Sequence, residues 1–62
     1  MRDLSTITSP AELAQAIAET EEAIHRGEED IRQIRPTANP EMVQALLQEL
    51  QGLQQLKRDK GW

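Results

Sequence analysis

The residues best suited to chemistry are a glutamate and a histidine three positions apart, Glu22 and His25. In helical bundles this spacing supplies two metal ligands from one helix, and a dimer would supply a second pair. Glu49, beyond the central turn of the chain, could add a further carboxylate. The helix phase argues against such a site. If Ile24 points into a core, Glu22 lies about 200° and His25 about 100° away around the helix, so we expect His25 to be exposed to solvent.

The remaining composition offers little for other catalysis. The chain of 62 residues has one histidine, no cysteine and no tyrosine, and it has no glycine-rich phosphate-binding loop. A pair of long helices does not readily enclose a substrate-sized pocket. The lack of cysteine also excludes disulfides and thiolate metal sites. We therefore expect a protein that is not an enzyme, with no catalytic, cofactor-binding or metal-binding residues and no cofactor.

Charge and hydropathy exclude further classes. The net charge of −4 argues against direct nucleic-acid binding, which needs clustered lysine and arginine. The longest run of large apolar residues is Leu46-Leu47, far short of a membrane span. Residues Met1 to Leu4 lack the apolar core of a signal peptide. Cytoplasmic residence without membrane contact is the expectation.

The segment Arg35–Pro40 organises the chain as a turn between two helices. Pro36 disfavours helix in the residue before it, while Asn39 and Pro40 are suited to the N-cap and first position of a new helix. Upstream, Ser9-Pro10-Ala11-Glu12 forms a capping box, in which Ser9 and Glu12 satisfy each other's backbone N–H groups. The sequence predicts an all-α, antiparallel two-helix hairpin over about 10–35 and 40–58.

The hairpin domain is predicted to cover residues 9–62, after a loosely ordered lead-in over residues 1–8. An alternative for the lead-in is a strand from Arg2 to Thr8, which would suit a ribbon-helix-helix regulator. Leu4 and Ile7 do not show the alternation of a strand, so the loose lead-in is the preferred interpretation.

The first helix carries two apolar series with heptad spacing. One is Ile17, Ile24 and Ile31, and the companion is Leu13, Thr20, Gly27 and Ile34. Because the isoleucines stay in phase across Gly27, we expect one continuous helix, in which the glycine costs about 1 kcal/mol relative to alanine. At Gly27 we expect a notch filled by a side chain or backbone of the opposite helix, or alternatively a local weak point.

The outer face of this helix is acidic, with favourable pairs predicted for Glu22 with Arg26 and for Glu28 with Arg32. Such a charge run is usually a solvated face. The alternative is an acidic surface that docks on a basic partner.

The second helix has an apolar stripe broader than one helix contact needs. Its seam is Val43, Leu46, Leu50 and Leu53, widened by Met42, Leu47 and Leu56, and its outer side carries Gln44, Gln48, Gln51 and Gln55. Folding about residue 37 would pair Ile31 with Val43, Ile24 with Leu50 and Ile17 with Leu56. This register leaves Met42 and Leu47 partly uncovered. Trp62, the only aromatic residue, either closes the core beside Leu13 or anchors a partner.

A hairpin of this size buries little surface, so self-association or a partner is expected to complete a four-helix bundle. The sequence thus predicts a non-catalytic module for protein–protein interaction, such as a small adaptor, chaperone or assembly factor, that pairs as a homodimer or with a helical protein. The alternative is a regulator of nucleic-acid transactions, either a ribbon-helix-helix-like repressor or an acidic inhibitor of a DNA-binding protein. The predicted partner interface is Met42, Leu46, Leu47, Leu50, Leu53, Leu56 and Trp62.

Overall fold

The computed structural model describes residues 4–62, and two long helices account for most of them. A short 3-10 turn, Leu4–Thr6, precedes helix α1, Pro10–Arg32, and helix α2, Pro40–Lys60. The two helices pack against each other, which confirms the predicted all-α hairpin. Helix α1 ends short of the predicted residue 35, and α2 continues beyond the predicted residue 58.

The helices run antiparallel. At one end, Leu13 near the start of α1 shares a buried cluster with Leu53 near the end of α2. At the other end, Gly27 of α1 lies against Val43 of α2. We call the end that holds the connecting turn the turn end, and the opposite end the open end.

The start of α1 follows the predicted capping box in part. The Ser9 hydroxyl accepts a hydrogen bond from the Glu12 N–H at 3.2 Å, and Pro10 occupies the first turn. The Glu12 carboxylate accepts instead from Thr8, from its N–H at 3.4 Å and its hydroxyl at 3.2 Å. The bond from the Glu12 carboxylate back to the chain is therefore made to Thr8, one residue earlier than the predicted Ser9.

Helix α1 is continuous through Gly27, as predicted, and ends in a Schellman motif. The Arg35 N–H donates to the Asp30 carbonyl at 3.0 Å, and the Ile34 N–H donates to the Ile31 carbonyl at 3.1 Å. This motif places Ile34 in the left-handed region, with φ 54°. That conformation is unfavourable for a β-branched residue. The helix therefore ends before Ile34 can reach the seam.

A β-turn closes the connection. The Ala38 N–H donates to the Arg35 carbonyl at 3.0 Å, with Pro36 at the second position of the turn. The half-buried Asp30 carboxylate accepts from the Thr37 hydroxyl at 3.0 Å and from the Arg35 guanidinium at 3.4 Å. These bonds tie the turn to the last turn of α1. Asn39 then caps α2, as predicted.

Helix α2 begins and ends with regular caps. The Asn39 side-chain oxygen accepts from the Met42 N–H at 3.1 Å. At the other end, the Trp62 N–H donates to the Lys57 carbonyl at 3.0 Å and Gly61 has φ 69°. Glycine adopts this conformation without the steric cost that Ile34 meets at the end of α1.

The seam between the helices joins small and large residues of α1 to larger ones of α2. The buried residues of the two helices are Leu13, Ala16, Thr20, Ile24, Gly27, Val43 and Leu53. The Thr20 hydroxyl donates to the Ala16 carbonyl at 2.8 Å, so this buried polar group has a partner. The companion series is thus buried through Gly27, and Ile24 of the isoleucine series is buried with it.

Val43 of α2 fills the notch at Gly27. This confirms the predicted alternative in which a side chain of the opposite helix occupies the notch. A Cβ atom on Gly27 would lie 2.6 Å from Val43 Cγ2. The predicted register, which placed Val43 opposite Ile31, is wrong by about one helical turn. Close packing at the glycine sets the register, and Ile31 is left 38% exposed beside the seam. Ile34, predicted on the seam, is 88% exposed because α1 has already ended.

The segment before α1 packs against the open end of the hairpin. Ile7 is buried in a cluster with Leu13, Ala16 and Leu53, and Leu4 packs against that cluster. These apolar side chains thus cover part of the open end, and the loose order predicted for residues 1–8 stays a prediction. Residues 4–62 contain no strand. The described part of the alternative strand over residues 2–8 is instead the 3-10 turn Leu4–Thr6 and two residues without regular structure. Residues 1–3 lie outside the described part.

The hairpin is long and thin. It measures 39 × 16 × 16 Å, with a radius of gyration of 12.9 Å. A compact domain of this length would have a radius of gyration of roughly 10.6 Å. A molecule two helices wide has no third layer to cover the sides of its seam.

Candidate functional site

The predicted interface residues differ in how far the hairpin covers them. Met42 is 48% exposed at the turn end, and Leu46, Leu47 and Leu50 are half-buried along α2. Leu53 is 0% exposed. A partner that leaves the hairpin intact therefore does not reach Leu53, whereas the other leucines present part of their surface.

Leu56 and Trp62 lie at the open end and pack against the buried cluster there. The Trp62 ring is half-buried, and Leu13 lies beside it in the same groove. This arrangement matches core closure, the first of the two roles considered for Trp62. The Schellman motif at Gly61 holds the Trp62 backbone in place.

Two apolar grooves flank the seam among residues 4–62, each with a volume of about 350 Å³. This volume is at the lower limit of small-molecule sites. The open-end groove is lined by Pro10, Ala11, Leu13, Ala14, Ile17, Lys57 and Trp62. The turn-end groove is lined by Glu28, Ile31, Arg32, Pro40, Val43, Gln44 and Leu47.

Both grooves lie on the same side of the hairpin. Ile17 lines the open-end groove and Glu28 lines the turn-end groove, eleven positions later. At 100° per residue this separation returns to within about 20° of the same direction. Ala14 and Ile31 belong to the same stripe of α1. We call this side the groove face. Helix α2 contributes Pro40, Val43, Gln44 and Leu47 to it at the turn end and Lys57 at the open end.

Each groove has a charged group at its rim. Within residues 4–62, Glu28 in the turn-end groove and Lys57 in the open-end groove have no side-chain ion pair. Arg32 also lines the turn-end groove, but its guanidinium is bonded to Glu29. The turn-end groove is therefore lined by charges of both signs, whereas Lys57 is the charged residue that lines the open-end groove.

The helix pairs predicted on α1 have different outcomes. Arg26 contacts Glu22 at 2.6 Å, which confirms that pair. The prediction that Arg32 pairs with Glu28 is wrong, because Arg32 turns to Glu29, three residues away instead of four. Both charges of the confirmed pair are well exposed, so its contribution to stability is small.

The sequence did not predict that two apolar residues, Ile31 and Ile34, would be exposed to solvent. Ile31 lines the turn-end groove, and Ile34 projects from the turn at 88% exposure. The signal for Ile34 was present in the sequence, because Pro36 two positions later ends the helix near Arg32. Ile31 could not be found in this way, since its exposure depends on the register between the helices.

The structure offers no metal site around the Glu-x-x-His motif. Glu22 and His25 are exposed, and the Glu22 carboxylate is engaged by Arg26. Among residues 4–62 no group of three or more histidine, aspartate or glutamate side chains is arranged to hold a metal ion. Glu49 lies on α2, within that same part of the chain.

The glutamines of α2 are exposed, and one takes part in helix-surface bonding. The Gln55 amide donates to the Asp59 carboxylate at 2.8 Å. Such i,i+4 bonds are typical of a solvated helix face. Within residues 4–62, neither helix is long and apolar enough to cross a membrane.

Comparisons with protein-family models, with curated proteins and with solved structures found no match to the chain.

Proposed function

We propose that the chain is a non-catalytic helical-hairpin module that binds a helical protein, or a second copy of itself, through the apolar face of α2. The observation that carries the proposal is the half-buried state of Leu46, Leu47 and Leu50 in a hairpin whose helices and caps are otherwise complete. A module of this kind would act as an adaptor, chaperone or assembly factor.

The packing of the seam explains why these leucines stay partly uncovered. Ala16, Thr20 and Gly27 let α1 approach closely, but such small side chains cover only a narrow strip of α2. The leucines on either side of that strip remain in contact with water. Covering them with two further helices would complete a four-helix bundle, the usual way to bury a stripe of this width. Cytoplasmic residence stays an expectation from the sequence.

Leu47→Glu tests the proposal. The substitution places a carboxylate in the turn-end groove, where an apolar partner surface would strip it of water. Tagged parent and variant are expressed in the source cells together with an untagged copy of the chain. The parent should retain one or more proteins, which can include the untagged copy, and the variant should lose them by roughly tenfold or more.

Gln48→Glu is the matched control, because it adds the same charge to the neighbouring, exposed position of α2. It should retain what the parent retains. Circular dichroism should show that both variants remain helical. Equal retention by the parent and Leu47→Glu would contradict the assignment of this face.

A further inference from the structure

We propose that the tip of the hairpin, residues 28–42 around the connecting turn, is a docking surface. Its anchor is the Ile34 side chain, which enters an apolar pocket on a partner protein whose rim carries basic side chains. This inference rests on the proposed function, since it assumes a protein partner, and it adds a contact outside the predicted interface on α2.

Exposed apolar surface is concentrated in the tip. In the part of the chain that the structure describes, the large apolar residues that are exposed are Ile31, Ile34 and Met42, at 38%, 88% and 48%. At the open end, by contrast, Ile7 is buried in the core cluster and Trp62 packs against it. The chain thus covers its open end with its own side chains, whereas the tip keeps its apolar side chains in water. Exposed apolar side chains grouped in one region mark a binding surface more strongly than scattered ones do.

Ile34 combines this exposure with an unfavourable backbone. Its φ of 54° lies in the left-handed region, which is costly for a β-branched residue. Glycine would satisfy the same Schellman motif without that cost, as Gly61 does at the end of α2. Residues held in such conformations are concentrated at binding sites. The isoleucine is therefore better explained by a contact outside the hairpin than by the stability of the hairpin itself.

The turn presents Ile34 on an ordered backbone. The Ile34 N–H donates to the Ile31 carbonyl at 3.1 Å, and the Arg35 N–H donates to the Asp30 carbonyl at 3.0 Å. The Asp30 carboxylate also accepts from the Thr37 hydroxyl at 3.0 Å. A side chain on an ordered turn loses little conformational freedom when it binds, so more of its apolar contact contributes to affinity.

The charges of the tip favour a basic rim on the partner. Four carboxylates and two arginines lie in the tip. Arg32 and Arg35 are both ion-paired with neighbouring carboxylates. Within the described chain, Glu28 and Glu41 have no ion pair, so the excess charge is negative. Lysine or arginine at the rim of the pocket would complement this charge, whereas an anionic membrane surface would repel it.

Photo-crosslinking from position 34 tests the class of partner. The tagged full chain carries a diazirine analogue of leucine in place of Ile34 and is irradiated in an extract of the source cells. The crosslink should map by mass spectrometry to one retained protein, at apolar side chains of a pocket with lysine or arginine at its rim. The same analogue in place of Ala18, which is exposed on α1 away from the tip, should not form this crosslink.

Titration calorimetry with that purified protein then measures the contribution of the anchor. Ile34→Gly and Ile34→Asn should each raise the dissociation constant by roughly tenfold or more, because both remove the apolar side chain. Glycine and asparagine tolerate the left-handed conformation, so the turn should be kept. Glu28→Gln and Glu41→Gln should each raise the dissociation constant by about twofold to threefold, and this effect should fade at high salt.

Ile34→Gly also separates binding from folding, since its midpoint of thermal unfolding should rise while its affinity falls. Gly52→Ala is the matched control, because it lies near Leu4 at the open end and should also raise the midpoint. Its dissociation constant should stay within about twofold of the parent.

Equal affinity of the parent and Ile34→Asn would overturn the proposal. If Leu47→Glu nevertheless releases the protein, the interaction module survives and only the tip contact is wrong. A crosslink to lipid or to a second copy of this chain, or no crosslink at all, would also overturn the proposal. Flotation of the parent with phosphatidylcholine vesicles, abolished by Ile34→Asn, would do the same.

Discussion

Single residues at the helix ends decide how the chain changes direction. Both helices end in a Schellman motif, one with Gly61 at φ 69° and the other with Ile34 at φ 54°. At the end of α2, the left-handed position is occupied by glycine, the residue best suited to it. At the end of α1, the same position is occupied by a β-branched residue. Ile34 is 88% exposed, so its side chain gains little packing energy within the hairpin to offset the cost of this conformation. Among residues 4–62, Ile34 is the one residue other than glycine with a positive φ.

Ile34→Gly should stabilise the hairpin. Removing the left-handed conformation of a β-branched residue should raise the free energy of unfolding by about 1–2 kcal/mol. The greater conformational freedom of glycine in the unfolded chain lowers it by about 0.5–1 kcal/mol. The net gain should be about 0.5–1 kcal/mol. Thermal unfolding followed by circular dichroism would show it as a higher midpoint, because about 4–8 °C corresponds to each kcal/mol in a domain of this size.

Gly61→Ala is the matched change at the end of α2. No heavy atom lies within 4 Å of the added Cβ, so the effect isolates the cost of the left-handed conformation. The variant should lose about 1 kcal/mol of stability. If both variants moved the midpoint in the same direction, backbone conformation would not be the controlling term at these sites.

At the scale of the elements, packing at one glycine sets the register of α1 on α2. Val43 packs on Gly27. Toward the open end, the small residues Ala16 and Thr20 are also buried between the helices. The consequence reaches the candidate site, since the same register leaves Ile31 beside a groove instead of inside the seam. Side-chain size on α1 therefore determines which apolar surface remains for a partner.

Gly27→Ala and Gly52→Ala should have opposite effects. Each change gains about 1 kcal/mol of helix propensity. At Gly27 the new Cβ would lie 2.6 Å from Val43 Cγ2, and relieving this overlap should cost about 1–3 kcal/mol. At Gly52 the nearest atom is Leu4 Cδ1 at 3.3 Å, the end of a flexible side chain that can move.

Urea unfolding would therefore show Gly27→Ala to be neutral or destabilised by up to about 2 kcal/mol, and Gly52→Ala to be stabilised by up to about 1 kcal/mol. Adding Val43→Ala to Gly27→Ala should recover part of the loss, and a double-mutant cycle measures the coupling. Additive effects of the two changes would show that Val43 does not set the register.

At the scale of the whole molecule, the hairpin has a thin core and a long exposed flank. Its accessible surface is 4562 Å², whereas size scaling gives roughly 4,000 Å² for a compact monomer of this mass. Folding therefore leaves more surface in water than is usual for a chain of this length. Association through the apolar face of α2, as proposed, would remove part of that excess.

Thermal stability should depend on protein concentration. If folding and pairing are linked, the midpoint of unfolding should rise by about 5 °C for each tenfold increase in concentration. Circular dichroism scans at micromolar and at several hundred micromolar chain would measure it. A midpoint that stays constant over this range would show that the single hairpin is stable by itself.

Local rules in the sequence determined the elements of this protein. Ser9 and Asn39 begin the helices, and Pro36 prevents α1 from continuing into α2. These signals act within a few residues of the chain, so the all-α hairpin and its turn could be predicted from the sequence. The broad apolar stripe of α2, and with it most of the candidate surface, followed from the same periodicity.

Only the tertiary structure decided the register and the composition of the exposed face. The midpoint of the turn suggested that Val43 pairs with Ile31, but close approach at Gly27 moved the contact by about one turn. The 38% exposure of Ile31 follows from that shift. The spacing of apolar residues on each helix is a property of one helix alone, whereas the register is a property of two surfaces that fit together.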